Sequence, residues 1–94
     1  MEIETDDVNR AMMLDGNAVA GRLAALFGTE MTTSLTECAN CGQGHMMGAL
    51  LAFTQAPGIV LRCPSCEAVM LKLVETPRGT YLDARGVAFV RIDR

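Results

Sequence analysis

The sequence predicts a small α+β domain, a zinc-ribbon-like antiparallel β-sheet with one N-terminal helix. Three observations predict it. All four cysteines of the 94-residue chain fall into two C-x2-C pairs. One segment ahead of them repeats its apolar residues at helical spacing. Beyond the first pair, short apolar or alternating stretches are separated by Pro, Gly and Asp turns. A chain of this length makes one domain and buries only roughly 60–65% of the surface its unfolded form exposes. A metal site is one of the usual staples for so small a core.

The elements follow in order. Residues 1–10 are polar and acidic and read as a flexible tail, with a first turn around 8–13; the domain then occupies 11–94. A helix is expected over about 17–27. Asp15 or Asn17 can cap it by accepting a free backbone N–H. Val19, Leu23, Leu26 and Phe27 recur at i, i+4, i+7 and i+8 and share one face. Ala18, Ala20, Ala24 and Ala25 favour helix, and Gly28 supplies a left-handed stop. Gly21 inside the helix is expected to let a strand come close. Residues 29–37, rich in Thr and Ser, read as extended and lead into the first cysteine pair.

A zinc-bound sheet is expected over about 36–94. Residues 46–54 form an apolar strand ending at the turn residues Gln55-Ala56-Pro57-Gly58. A strand over 59–62 runs into the second cysteine pair. Residues 67–75 alternate, with Val69, Leu71 and Leu73 on one face and Met70 and Lys72 on the other. Thr76-Pro77-Arg78-Gly79 is a turn, 80–82 a short strand, Asp83-Ala84-Arg85-Gly86 a second turn and 87–92 the last strand. Together these make an antiparallel meander of four or five strands, with the Val19/Leu23/Phe27 face of the helix packed on it.

The cysteine pairs are Cys38-Ala39-Asn40-Cys41 and Cys63-Pro64-Ser65-Cys66, with 21 residues between them. A two-residue gap lets both sulfurs of a pair turn to one point, and two such loops give a tetrahedral S4 site suited to Zn²⁺. The expected cofactor is one Zn²⁺ per chain on Cys38, Cys41, Cys63 and Cys66. Iron shares this geometry, but rubredoxins carry an aromatic core, whereas this chain has one Tyr, three Phe and no Trp. A thioredoxin-like dithiol would sit in a βαβ pattern, which is absent. Catalytic zinc needs an open coordination position, which four thiolates do not leave. His45 is read as a polar loop residue rather than an alternative ligand or a donor to a bound sulfur. Arg62, beside Cys63, is placed to offset the net −2 of a zinc–tetrathiolate centre. The adjacent methionines Met12-Met13 and Met46-Met47 suit core or interface filling. Gly42-Gln43-Gly44 is not a phosphate loop, since no Lys-Ser/Thr follows. Asp83 and Arg85 can form a surface pair, although turn chemistry alone accounts for Asp83 and Gly86.

Composition narrows the function classes. Half the residues are hydrophobic, which is high for a small monomer and points to a homodimer or another protein partner. The net charge of −3 disfavours polyanion binding. The charge is uneven, however: residues 57–94 carry six basic and four acidic groups, so nucleic acid stays open as a partner. The acidic start Met1-Glu2-Ile3-Glu4 has no signal-peptide character, and no apolar run reaches about 18 residues, so no membrane span and a cytoplasmic location are expected.

The stretch Leu14-Asp15-Gly16-Asn17-Ala18-Val19-Ala20-Gly21, with Leu23 and Phe27, resembles the opening of a family of short actinobacterial proteins of unknown function. The likeness continues through Cys38 to Gly42, Ala56-Pro57-Gly58, Arg62 to Cys66 and Asp83 to Gly86, and covers roughly 12–92. It implies a zinc-ribbon-like fold and brings no activity with it. The function expected is a non-enzymatic zinc-binding module, with structural zinc on four cysteines, mediating protein–protein interaction. The alternatives are a nucleic-acid-binding zinc ribbon in transcription and a redox- or metal-responsive switch.

Overall fold

The computed structural model of the chain describes residues 14–54 and 58–92. The acidic tail, the first turn around 8–13 and most of the Ala56-Pro57 turn lie outside the described residues. A two-residue strand, β1 (Leu14–Asp15), leads into a 3-10 turn over Gly16–Val19 and then helix α1 (Ala20–Phe27). Of the two candidate caps, Asp15 does the capping, at the 3-10 turn and not at α1 itself, which has no side-chain cap: its Oδ1 accepts the Ala18 N–H at 3.2 Å. The helix stops at Gly28, which sits at φ 76° and donates its N–H to Ala24 O at 2.8 Å. Val19 and Leu23 are buried, with Leu26 and Phe27 packed half-buried beside them. The expected face is therefore the packed face. Gly21 does not admit a strand: a Cβ there would meet open space.

The strands are β2 (Leu35–Cys38), β3 (Gly44–Met46), β4 (Leu51–Phe53), β5 (Gly58–Arg62), β6 (Val69–Thr76), β7 (Gly79–Asp83) and β8 (Val87–Val90). Among the described residues all pairings are antiparallel, which with one α-helix makes an α+β fold. The strands do not form one meander. They divide into a five-stranded sheet, β1-β4-β5-β6-β7, and a three-stranded sheet, β3-β2-β8. Two places cause the division. After the Asp83–Gly86 turn, β8 leaves β7 and pairs with β2. Between β3 and β4, the expected strand over 46–54 is broken by a 3-10 turn at Met47–Ala49. That turn is held from outside: the Met47 N–H donates to Ser34 O and the Gly48 N–H to Thr32 O, both at 2.8 Å. The chain thus changes sheets where sequence periodicity shows only an apolar run.

Helix α1 covers one face of the larger sheet. Leu23, Leu26 and Phe27 line a shared apolar seam with Ile59 and Leu61 of β5, Leu71 and Leu73 of β6, and Leu82 of β7. Each fully buried Leu or Ile there contributes about 1.5–3 kcal/mol relative to exposure. Arg22 and Glu75 tie the helix to β6 at 2.8 Å, a half-exposed pair of small weight. Strand β6 departs from strict alternation. Arg62 pairs with Val69 and Leu61 with Leu71, so Met70 is the extra residue of a bulge. Met70 and Leu71 are both buried while Val69 is exposed, which corrects the expected faces.

The two sheets meet at the cysteine loops. Cys38 closes β2 of the small sheet, and Cys63 follows directly on β5 of the large one. The Ala39 N–H donates to Gly86 O at 2.9 Å. A side chain on Gly86 would collide with the Val69 backbone, so the β7–β8 turn lies flat against the start of β6. Among the described residues, no helix is long and apolar enough to cross a membrane.

Candidate metal centre

Each cysteine pair folds into the same small turn. In the first, the Gly42 N–H donates to Cys38 O at 2.9 Å and the Cys38 N–H donates to Gln43 O at 3.0 Å. In the second, the Glu67 N–H donates to Cys63 O at 2.8 Å and the Cys63 N–H to Ala68 O at 2.9 Å. Both turns end on a left-handed residue, Gly42 at φ 78° and Glu67 at φ 64°. This repetition follows from the shared C-x2-C spacing. The loop between the cysteines closes on the first one, and the backbone then reverses sharply to leave. Glu67 is therefore part of the second knuckle and not the first residue of β6.

The two knuckles face each other. Cys38 Sγ lies 3.6 Å from Cys66 Sγ, and Cys41 Sγ 3.7 Å from Cys63 Sγ, each contact crossing from one knuckle to the other. All four sulfurs lie within 4.8 Å of one another. These separations exceed the about 2.05 Å of a disulfide. The two contacts between the knuckles are close to the edge of a tetrahedron with a metal about 2.3 Å from each sulfur, which is about 3.8 Å. The four predicted residues are thus brought together as a set that could hold one metal ion. Cys38 and Cys63 are buried, Cys66 is half-buried and Cys41 is exposed, so the cluster has an inner and an outer side.

Polar groups are aimed at the sulfurs. Asn40 Nδ2, on the first knuckle, donates to Cys66 Sγ on the second at 3.4 Å. The Ser65 N–H donates to Cys63 Sγ at 3.3 Å. The Asn40 amide, followed by the Ala68 backbone N–H and the Cys38 and Cys41 thiols, pulls the Cys66 thiol down to about 6 against the effect of burial. The Gln43 backbone N–H pulls Cys41 down, but desolvation and the three neighbouring sulfurs outweigh it and push that thiol up to about 12. So the protein alone favours the thiolate at Cys66 and resists it at Cys41. A bound dication lets all four ionise together, because it replaces mutual repulsion with attraction.

Three further residues brace the site. His45 Nε2 and Ser65 Oγ are 2.8 Å apart, joining β3 to the second knuckle. His45 thus neither belongs to the sulfur cluster nor donates to a sulfur; it holds the residue next to Cys66. Its own strand is fixed by Thr36 Oγ1, which donates to His45 O at 2.7 Å. Arg62 Nη1 donates to Glu67 O at 3.0 Å, and its guanidinium lies 5.6 Å from the centre of the Phe53 ring. Arg62 therefore pins the exit of the second knuckle through its backbone. Asn40 and Ser65 were not singled out from the sequence, although a signal was present. Each is a polar residue immediately before the second cysteine of its pair.

Asp83 and Arg85 do pair, at the surface. Arg85 Nη2 donates to Asp83 Oδ2 at 2.6 Å, and Arg85 Nε reaches both carboxylate oxygens at 3.1 Å. The Arg85 guanidinium brings the Asp83 carboxyl down to about 2. The Arg85 N–H also donates to Asp83 Oδ1, so the pair is built into the turn. The methionine doublet splits, with Met46 exposed and Met47 fully buried.

A model of DUF6510, a family of unknown function, matches residues 7–94, and the chain belongs to that family. No curated protein and no solved structure matches the chain.

Proposed function

We propose that this DUF6510 chain is a non-enzymatic zinc module in which one Zn²⁺ on Cys38, Cys41, Cys63 and Cys66 rivets two sheets together, and whose exposed strand edges serve protein–protein interaction. The observation that carries it is the convergence of four sulfurs within 4.8 Å of one another, from the two knuckles at the ends of β2 and β5, with contacts of 3.6 and 3.7 Å between the knuckles. An all-thiolate tetrahedral set is the usual donor set for structural zinc and leaves no open position for substrate or water. The paired knuckles support a zinc-ribbon-like reading of this part of the fold. Zinc in such a place ties the end of β2 to the end of β5, and its binding becomes folding free energy.

The interaction reading is supported by what the strand edges expose. Strand β7 ends the larger sheet, and β3 and β8 are the edges of the smaller one. Tyr81 and Leu82 on β7, Phe89 on β8 and Met46 on β3 are large apolar residues in contact with solvent. Natural sheets usually guard such edges with Lys, Pro or bulges, and Gly79-Thr80-Tyr81-Leu82 carries none of these. A second copy of the chain is the first partner to test. Two residues behind the nucleic-acid reading are engaged within the chain, Arg62 with the Glu67 carbonyl and Arg85 with Asp83, which weakens a polyanion-binding face.

The test is light scattering on the zinc-loaded chain across a concentration range, beside a Tyr81→Lys variant. Concentration-dependent association that Tyr81→Lys abolishes supports the interaction reading. A strict monomer at all concentrations, which also captures no protein partner through β7, contradicts it.

A further inference from the structure

The four corners of the sulfur cluster are not equivalent. Cys63 is wholly buried, follows directly on β5 and receives the Ser65 N–H. Cys38 is also buried and is the last residue of β2. Releasing either sulfur from a metal would disturb a strand end and the core around it. Cys66 is half-buried and shielded by the Asn40 amide. Its loop is also clamped on both sides, by His45 on Ser65 and by Arg62 on the Glu67 carbonyl.

Cys41 differs in its exposure and in having, among the described residues, no side-chain clamp on its loop, although backbone bonds close its knuckle as they close the other. It is exposed, and every residue of 39–44 around it is exposed too. A Cβ on the next residue, Gly42, would meet nothing within 4 Å, so the loop has room to move on that side. Among the described residues, the groups around its sulfur are the other three cysteines and the Gln43 backbone N–H, with no side-chain amide over it as Asn40 lies over Cys66. Moving Cys41 outward shifts solvated backbone and leaves the core intact.

Building on the zinc reading above, we infer that Cys41 is the opening corner of the metal centre: the ligand that lets go first, through which the ion exchanges, and the site at which a soft carbon electrophile modifies the protein. The modification is balanced without any redox partner. In the metal-loaded chain, where the ion would hold all four sulfurs as thiolates, the Cys41 thiolate adds to the carbon–carbon double bond of an activated alkene, forming one S–C bond, and the resulting carbanion takes a proton from water. The hydroxide left from that water goes to solvent, and the modification would take Cys41 out of the donor set for a bound ion. The thioether formed is a poor ligand, so the ion is then held by three thiolates and leaves more readily.

The experiment uses the full chain carrying its metal, with N-ethylmaleimide as the probe at less than one equivalent and mass mapping of the modified cysteine. A chromogenic chelator follows release of the ion in the same sample. The expected result is modification at Cys41 at least tenfold ahead of Cys38 and Cys63, with metal release rising in step. Asn40→Ala, which removes the shield from Cys66, should bring Cys66 modification up toward that of Cys41 without moving the two buried cysteines. Because it spares every ligand, this variant keeps the test alive if Cys41→Ser does not fold. Early modification at Cys66, or equal modification of all four in metal-loaded wild type, overturns the inference and leaves the zinc reading standing. A purified chain that neither carries nor takes up a metal overturns both.

Discussion

Gly42 and Glu67 occupy the same place in the two knuckles, one residue after the second cysteine, and both sit in the left-handed region at φ 78° and 64°. The first knuckle uses the residue suited to that conformation. The second uses a side chain that the conformation penalises. Glu67 is held there by two backbone contacts, its N–H to Cys63 O and its carbonyl to Arg62 Nη1.

This asymmetry gives the first prediction. Glu67→Gly should relieve about 1–2 kcal/mol of backbone strain and lose about 0.5–1 kcal/mol to chain entropy, for a net gain of about 0.5 kcal/mol. Gly42→Ala should cost about 0.5–1 kcal/mol, since its Cβ meets no neighbour and the backbone penalty is only partly offset by the lower chain entropy of the unfolded state. Denaturant unfolding of the metal-loaded chain reads both, and the two substitutions should move the midpoint in opposite directions.

The second prediction concerns the rivet. Structural zinc supplies an apparent ~10–16 kcal/mol in small zinc-finger peptides, as much as the whole stability of a typical domain. Cys63→Ser, or chelation of wild type, should therefore abolish the cooperative thermal transition rather than shift it by a few degrees. Circular dichroism melts with and without chelator check this.

The third prediction concerns the brace between β3 and the second knuckle. His45→Ala and Ser65→Ala should each cost about 1 kcal/mol, and the double variant should cost little more than either alone. A double-mutant cycle by denaturant melts reads the coupling between two groups 2.8 Å apart. Metal stoichiometry should stay unchanged, because neither residue belongs to the sulfur cluster.

The fourth prediction concerns acid. The carboxyl of Asp83 is lowered to about 2 by Arg85. A group lowered on folding stabilises above its unfolded value, near 4, and this contribution is lost as the pH falls from about 4 toward 2. Metal-bound thiolates take up protons at higher pH than that, so the metal leaves first and sets the acid transition. Asp83→Asn should accordingly leave the acid midpoint unchanged, while added zinc should move it to lower pH. Fluorescence or circular dichroism titration from pH 7 to 3 distinguishes the two.

The local chemistry was legible where one residue type permits few alternatives. The C-x2-C pairs gave the cluster, Asp15 and Gly28 bracketed the helical segment, and Val19, Leu23, Leu26 and Phe27 marked its packed face. The Pro77-Arg78 turn also lies where expected, between β6 and β7. The division into two sheets was not legible. It depends on Met47 and Gly48 donating their N–H groups to Ser34 and Thr32, and backbone bonds between distant segments leave no mark on periodicity. The bulge at Met70 was hidden for a similar reason: an extra residue in one strand shows only once the register with Leu61 and Arg62 is known. His45 lies on β3, far in sequence from Ser65, so only the folded chain brings the two together.

The most direct test of the central claim is metal content per chain, by elemental analysis of protein purified without added metal. One zinc per chain, lost together with the cooperative melt when Cys63 is replaced by Ser, is the predicted result. One iron per chain with a visible colour, or a folded metal-free chain with the thiols intact, would contradict it.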